Sequence, residues 1–231
     1  MTKPKIYPSV VTFKSDWEMR LDEIKRLKIK EISLFLTCLD KDKRKEFYKY
    51  LENSGVKYIP HVHIRHDFTE KEAQWLADTY GTKYFTIHIS LLKKFSKWKI
   101  AKKLCVEYNP SLYNGRMLDE LKYLNKIAGF CIDIAHYHIA QRYNYDKSFE
   151  LVNKLLKKYP VAINHLNGFT KNNTGQIKID DMHFVKNMKK NFWHLENTPK
   201  KLFSKNIYLE CSNSISKQLE IRDYLHGKYF K

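Results

Sequence analysis

Residues 128–136 read AGFCIDIAH, apolar almost without interruption until Asp133, with His136 just beyond. A run this short and evenly apolar is the pattern of a strand covered on both faces, as in a parallel sheet. Seven more runs share its character. They are IYPSVVTF at 6–13, EISLFL at 31–36, KYIPHVHI at 57–64, KYFTIHI at 83–89, KLCVEYN at 103–109, VAINHLNGF at 161–169 and NIYLEC at 206–211.

The text between the runs carries apolar residues at helical spacing. Helices are predicted over 16–28, 40–53, 70–80, 115–125, 138–158, 182–193 and 214–226. Ser15 or Asp16 is placed to cap the first. Thr69 with Glu72 three residues on has the form of a capping box for the third. The connection 90–102 is the one with a weak helical signal. Eight strands alternating with helices, strand first, predict a (β/α)₈ TIM barrel spanning 1–231 as a single domain. An open doubly wound sheet is the competing arrangement, but no glycine-rich phosphate loop follows the first strand.

The chain has 231 residues, 43% hydrophobic, with a formal net charge of +18. Such a charge favours a polyanionic partner, a phosphorylated substrate or DNA, although lysines spread along solvated helix faces would give the same sum. Cys38, Cys105, Cys131 and Cys211 form no C-x-x-C pair, and three of them sit in strand-like text, as buried reduced thiols do. No apolar run reaches the roughly 18 residues needed to cross a membrane, and no signal core begins the chain, so a cytoplasmic location is expected. No protein partner is predicted.

Metal-capable residues recur where the predicted strands end. They are His61 and His63 on the third, His88 on the fourth, Glu107 on the fifth, Asp133 with His136 on the sixth, His165 on the seventh and Glu210 on the eighth. In a barrel those ends converge on one mouth, where active sites of this fold lie. A carboxylate in apolar text costs several kcal/mol unless it is paired or bound to metal. One such residue has an ordinary structural reading as a satisfied core histidine or half of an ion pair; six strands ending this way predict a divalent metal site. Imidazole and carboxylate donors suit zinc first, with manganese or iron as alternatives. His61 and His63 lie two apart on one strand face and compete for the same role, His63 nearer the mouth. Asp181 and His183 form a D-x-H pair after the seventh strand, read either as ligands on a covering loop or as a helix cap with a surface histidine.

The motifs VEYN, CIDIAH, NHLNGF and YLEC resemble those of the xylose isomerase-like TIM barrels, over roughly residues 57–211. That superfamily joins sugar isomerases and epimerases with endonuclease IV and related abasic-site endonucleases. The resemblance implies that Glu107, Asp133, His165 and Glu210 hold a divalent metal. The endonuclease IV branch implies a fuller set, adding Pro60-His61 (or His63), His88, His136, Asp181 and His183, enough for two or three zinc ions. The chain departs from that branch in several places. Ile-Ser-Leu follows His88, Tyr108-Asn109-Pro110 follows Glu107, Gly168 stands where an Asp is usual, and TCLDKDKRK after the second strand lacks a DNA-inserting segment.

Two reactions follow from the resemblance. The first is multi-metal phosphoester hydrolysis of abasic-site DNA, with Glu107 and Glu210 as bridging catalytic carboxylates and Arg65, Lys93, Lys94 and Lys171 near the phosphates. The second is a sugar or sugar-phosphate isomerase or epimerase, in which one metal holds substrate oxygens while Glu107 and Glu210 exchange protons with carbon, and Arg65 and His136 bind substrate.

Overall fold

Pro8 has no main-chain N–H, and in a computed structural model of the chain it divides the first strand into β1 (Lys5–Tyr7) and β2 (Ser9–Val11). The structure describes residues 3–13, 16–108, 115–142, 150, 153–169 and 181–231. The other strands of the main sheet are β3 (Ser33–Phe35), β4 (His61–His63), β5 (Tyr84–Ile87), β6 (Leu104–Tyr108), β7 (Gly129–Asp133), β8 (Val161–Leu166) and β11 (Asn206–Leu209). A separate antiparallel pair, β9 (Gly168–Phe169) and β10 (Asp181–Met182), lies beyond the end of β8.

The sheet order is β1-β11-β8-β7-β6-β5-β4-β3-β2, and every pairing in it is parallel. Because β1 and β2 are halves of one strand, that order is a ring closed through the chain at Pro8. The eight apolar runs are therefore the eight staves of a (β/α)₈ barrel. Gln218 holds the joint. Its side-chain oxygen accepts from Ser9 N at 2.7 Å, and its amide donates to Ser9 O at 2.9 Å and to Cys211 O and Asn213 O at 3.0 Å.

The helices are α1 (Trp17–Arg26), α2 (Lys41–Asn53), α3 (Glu70–Tyr80), α4 (Leu92–Phe95), α5 (Ile134–Arg142), α6 (Met188–Asn191) and α7 (Ile215–Lys228). Thr69 caps α3 by accepting from Glu72 N at 3.2 Å, but the Glu72 carboxylate does not close the box. It takes the buried Arg44 instead, at 2.7 and 3.1 Å. Gly115–Lys126 is a 3₁₀ helix, α5 starts directly at the end of β7, and the predicted helix 182–193 shrinks to α6. The connection after β5 is short helical pieces, in line with its weak signal. No helix among the described residues is long and apolar enough to cross a membrane.

Strand period two decides which side chains enter the barrel. On β6, Leu104, Val106 and Tyr108 pack outward against the helical layer while Cys105 and Glu107 face in. On β7, Phe130 and Ile132 pack outward while Cys131 and Asp133 face in. The interior is filled by Tyr7, Val11, Phe35, Cys105, Cys131, Ile163 and Tyr208. Gly129 sets the level of Asp133 within it. Its φ of 147° accompanies a register shift at Phe130/Cys131 that brings Asp133 opposite His165, and a Cβ there would lie 2.5 Å from Pro160 O.

Candidate metal centre

Glu107 is the hub of the barrel mouth. It is 3% exposed, and its two oxygens face different histidines. Oε2 lies 3.3 Å from His88 Nε2 and 3.5 Å from His63 Nε2, and Oε1 lies 3.7 Å from both His136 Nδ1 and His165 Nδ1. His165 Nδ1 is also 3.4 Å from Glu210 Oε2. Asp133 completes the group: donor atoms of Glu107, Asp133, His165 and Glu210 lie within 4.8 Å of one another, as do those of His63, Glu107 and His165.

These separations fit a metal centre better than a hydrogen-bonded network. Donor atoms sharing a tetrahedral ion at about 2.0–2.2 Å stand about 3.3–3.6 Å apart. Good N–H···O bonds are shorter, about 2.7–3.2 Å. Both ring nitrogens of His63 and Nδ1 of His165 are buried without a hydrogen bond. Three carboxylates and several imidazoles thus converge, with no lysine or arginine among them within the described residues, a donor set that suits a divalent cation. Cys131 beneath it stays a thiol, burial pushing its pKa to about 11, so no thiolate joins the set.

The electrostatics of Glu107 and His63 agree, while against its burial His165 is raised by Cys131 and the carboxylates, and His88 by Glu107. Burial alone would raise the Glu107 carboxyl, but His63, His165 and His88 outweigh it and hold the group well below the usual carboxylate range. Burial drives His63 well below an ordinary imidazole, so it is a neutral lone-pair donor. His88, at the rim with 43% of its side chain exposed, is raised by its contact with Glu107.

The remaining predicted residues take distinct places. His61 is wholly buried one layer below the mouth, against Ser33, Thr86 and His165. His183 donates from Nδ1 to the main-chain carbonyl of Glu210 at 3.0 Å and packs on Phe13 at 4.4 Å, which docks it beside the centre. The backbone of Asp181 pairs with Phe169, and its side chain lies outside the described residues, as does Lys171. Arg65 is engaged by Asp67 at 3.0 Å, Lys94 donates to His66 O, and Lys93 N donates to Glu120.

Asn167 was not among the predicted residues. It is fully buried and donates to Asp133 Oδ2 at 3.2 Å, while His136 N donates to Oδ1 at 2.9 Å. Its position two beyond His165, on the same strand face, is the signal that would have found it.

No family model and no curated protein matches the chain. Among solved structures it is similar to a phospho-2-dehydro-3-deoxyheptonate aldolase from Thermotoga maritima, at 10% identity and a TM-score of 0.47, covering 97% of this chain and 69% of that one. It is also similar to an uncharacterized B. cereus protein at 11% identity and a TM-score of 0.43, covering 96% and 64%. An IOLI protein with a bound zinc atom matches at 13% identity and a TM-score of 0.38, covering 96% and 88%. The barrel and the site rest on this chain's own strand order and geometry.

Proposed function

We propose that this chain is a metal-dependent phosphoester hydrolase of the endonuclease IV kind, holding two or more divalent ions, zinc foremost, with Glu107 shared between neighbouring ions. One observation carries the reading: the two oxygens of Glu107 face different histidines, His63 and His88 at Oε2, His165 and His136 at Oε1. A carboxylate flanked in this way is suited to bridge. His63, His88 and Glu107 would form one set, and Glu107, Asp133, His165 and Glu210 the next. His136 and His183 border a third, which Asp181 would complete.

The chemistry such ions supply is activation of a water and neutralisation of charge on phosphate oxygens. The chain's own part is to hold Glu107 ionised, to set Glu210 beside His165 and to exclude bulk water from the floor of the mouth. The net charge of +18 favours a polyanionic substrate, with DNA carrying an abasic site the first to try. Residues 1–231 act in this reading as one catalytic domain, and its four free cysteines suit a reducing cytoplasm.

A sugar or sugar-phosphate isomerase or epimerase is the second reading. It is favoured by the fact that Glu107, Asp133, His165 and Glu210 suffice for a single ion. It leaves His63 and His88 without a task. Elemental analysis of the purified protein, beside Glu107→Gln, separates the two. Two or more zinc ions per chain, lost in the variant, with salt-sensitive cleavage of abasic oligonucleotides, support the hydrolase. One ion per chain with turnover of sugar phosphates supports the isomerase. No uptake of metal after reconstitution sinks both.

A further inference from the structure

His61 has the burial and chemistry of a ligand but sits in the wrong layer to be one. Its Nδ1 is 2.6 Å from Ser33 Oγ, and its Nε2 is 2.8 Å from Thr86 Oγ1 and 3.2 Å from His165 Nε2. Its ring is stacked on Tyr208, with centroids 4.4 Å apart and planes 18° apart, and meets Phe35 edge-on at 5.3 Å. Each of its polar atoms is thus spoken for inside the barrel, and its ring is clamped.

The contact between the two Nε2 atoms constrains both rings. Two imidazole nitrogens at 3.2 Å share one proton: with none they repel, and with two they clash. His165 Nδ1 is the atom that faces Glu107 and Glu210. For that nitrogen to offer a lone pair, the His165 proton must sit on Nε2. There its neighbours are His61 Nε2 and, at 3.4 Å, Thr86 Oγ1. His61 Nε2 must then be bare and its proton must lie on Nδ1, directed at Ser33.

We propose that His61 is a positioning residue for His165: as the Nδ1–H tautomer, anchored on Ser33, it accepts the His165 Nε2–H and so presents a bare His165 Nδ1 to the carboxylate cluster. This rests on the metal-centre reading. The partner of a metal-binding histidine is usually a carboxylate or a main-chain carbonyl. A neutral imidazole does the same work without adding a fourth negative charge beneath Glu107, Asp133 and Glu210.

The test uses the whole chain. Long-range proton–nitrogen spectra of ¹⁵N-labelled, metal-free protein report the tautomers of both histidines, and zinc titration against a chelator reports affinity for wild type, His61→Leu and His61→Gln. The expected result is His165 protonated on Nε2 and His61 on Nδ1. Zinc affinity should fall about 10- to 100-fold in His61→Leu and largely recover in His61→Gln, which keeps an acceptor. Wild type with His165 Nε2 bare, its proton on Nδ1 alone, overturns the proposal without needing any variant to fold. So does zinc affinity in His61→Leu equal to wild type, and either result leaves the metal centre standing. Wild type that binds no zinc removes the metal-centre reading, and with it the purpose assigned to His61, whatever the tautomers.

Discussion

Asn167 and Asp133 are joined inside the barrel mouth: the Asn167 amide donates to Asp133 Oδ2 at 3.2 Å, and both residues are fully buried. His136 N donates to the other oxygen, Oδ1, at 2.9 Å, so the carboxylate is held from both oxygens. Asn167→Leu preserves the volume and removes the donor. Zinc affinity is expected to fall about 10- to 100-fold with the fold intact. A chelator competition titration alongside circular dichroism checks this, and an unchanged affinity would mean that Asp133 is oriented without Asn167.

Gln218 ties the split first strand to the last, so it bears on closure of the barrel. Gln218→Leu strips Ser9 N of its acceptor and three buried carbonyls of their donor. Each unsatisfied buried group costs about 1–3 kcal/mol, and with relaxation the variant is expected to lose about 2–4 kcal/mol. Gln218→Glu should be no better at pH 7, because it buries a charge beside carbonyls, and should improve as the pH is lowered and the carboxyl regains a proton to donate. Urea unfolding of both variants at two pH values decides it. A loss under 0.5 kcal/mol in Gln218→Leu would mean that the joint is held elsewhere.

The barrel was legible because its strands are apolar on both faces and so appear as eight unbroken runs. The mouth residues were legible because a His, Asp or Glu ending such a run stands out. What the sequence could not separate was His61 from His63: both face inward, and only the side-chain contacts show that His63 reaches Glu107 while His61 is held by Ser33, Thr86 and His165. The capping box at Thr69 failed for a related reason. Glu72 had a stronger partner in Arg44, 28 positions away, and no local pattern reports a contact of that range. The predicted helix over 115–125 tightened to a 3₁₀ form, a difference of one residue in hydrogen-bond reach that apolar spacing does not resolve.

Arg44 itself is wholly buried, held by Glu72, by Asp67 at 3.0 Å and by Leu39 O at 2.9 Å, with its guanidinium 4.2 Å from the Phe68 ring. Removing one side of such a network strands the other charges. Arg44→Met is expected to destabilise by about 3–5 kcal/mol. Adding Glu72→Gln should return part of that loss, because the stranded carboxylate goes with it. Strict additivity of the two substitutions in urea unfolding would show that Arg44 and Glu72 do not act as a pair. Asp67 also engages Arg65, so the mouth loop should loosen too, seen as faster proteolysis near that loop.

His194 is one of the buried histidines through which acid acts on the fold. It is fully buried in a box of rings, with centroids 5.2 Å from Phe169, 5.4 Å from His138, 6.3 Å from Phe192 and 6.5 Å from Trp193. Burial, and then repulsion from His138, lowers its pKa to about 3. An unfolded histidine titrates near 6.5. Between those values the unfolded chain takes up a proton that the folded chain refuses, so stability falls as the pH drops from about 6.5 towards about 3 and is unaffected by this group above that window. The contribution over the whole window is on the order of a few kcal/mol. His194→Phe keeps the ring and removes the titration. Its urea midpoint should therefore decline less than that of wild type between pH 7 and pH 4.5, and comparing the two chains cancels the titrating groups remote from His194, leaving His194 and its neighbour His138. Parallel pH profiles would mean that His194 is already protonated, or solvated, in the folded state.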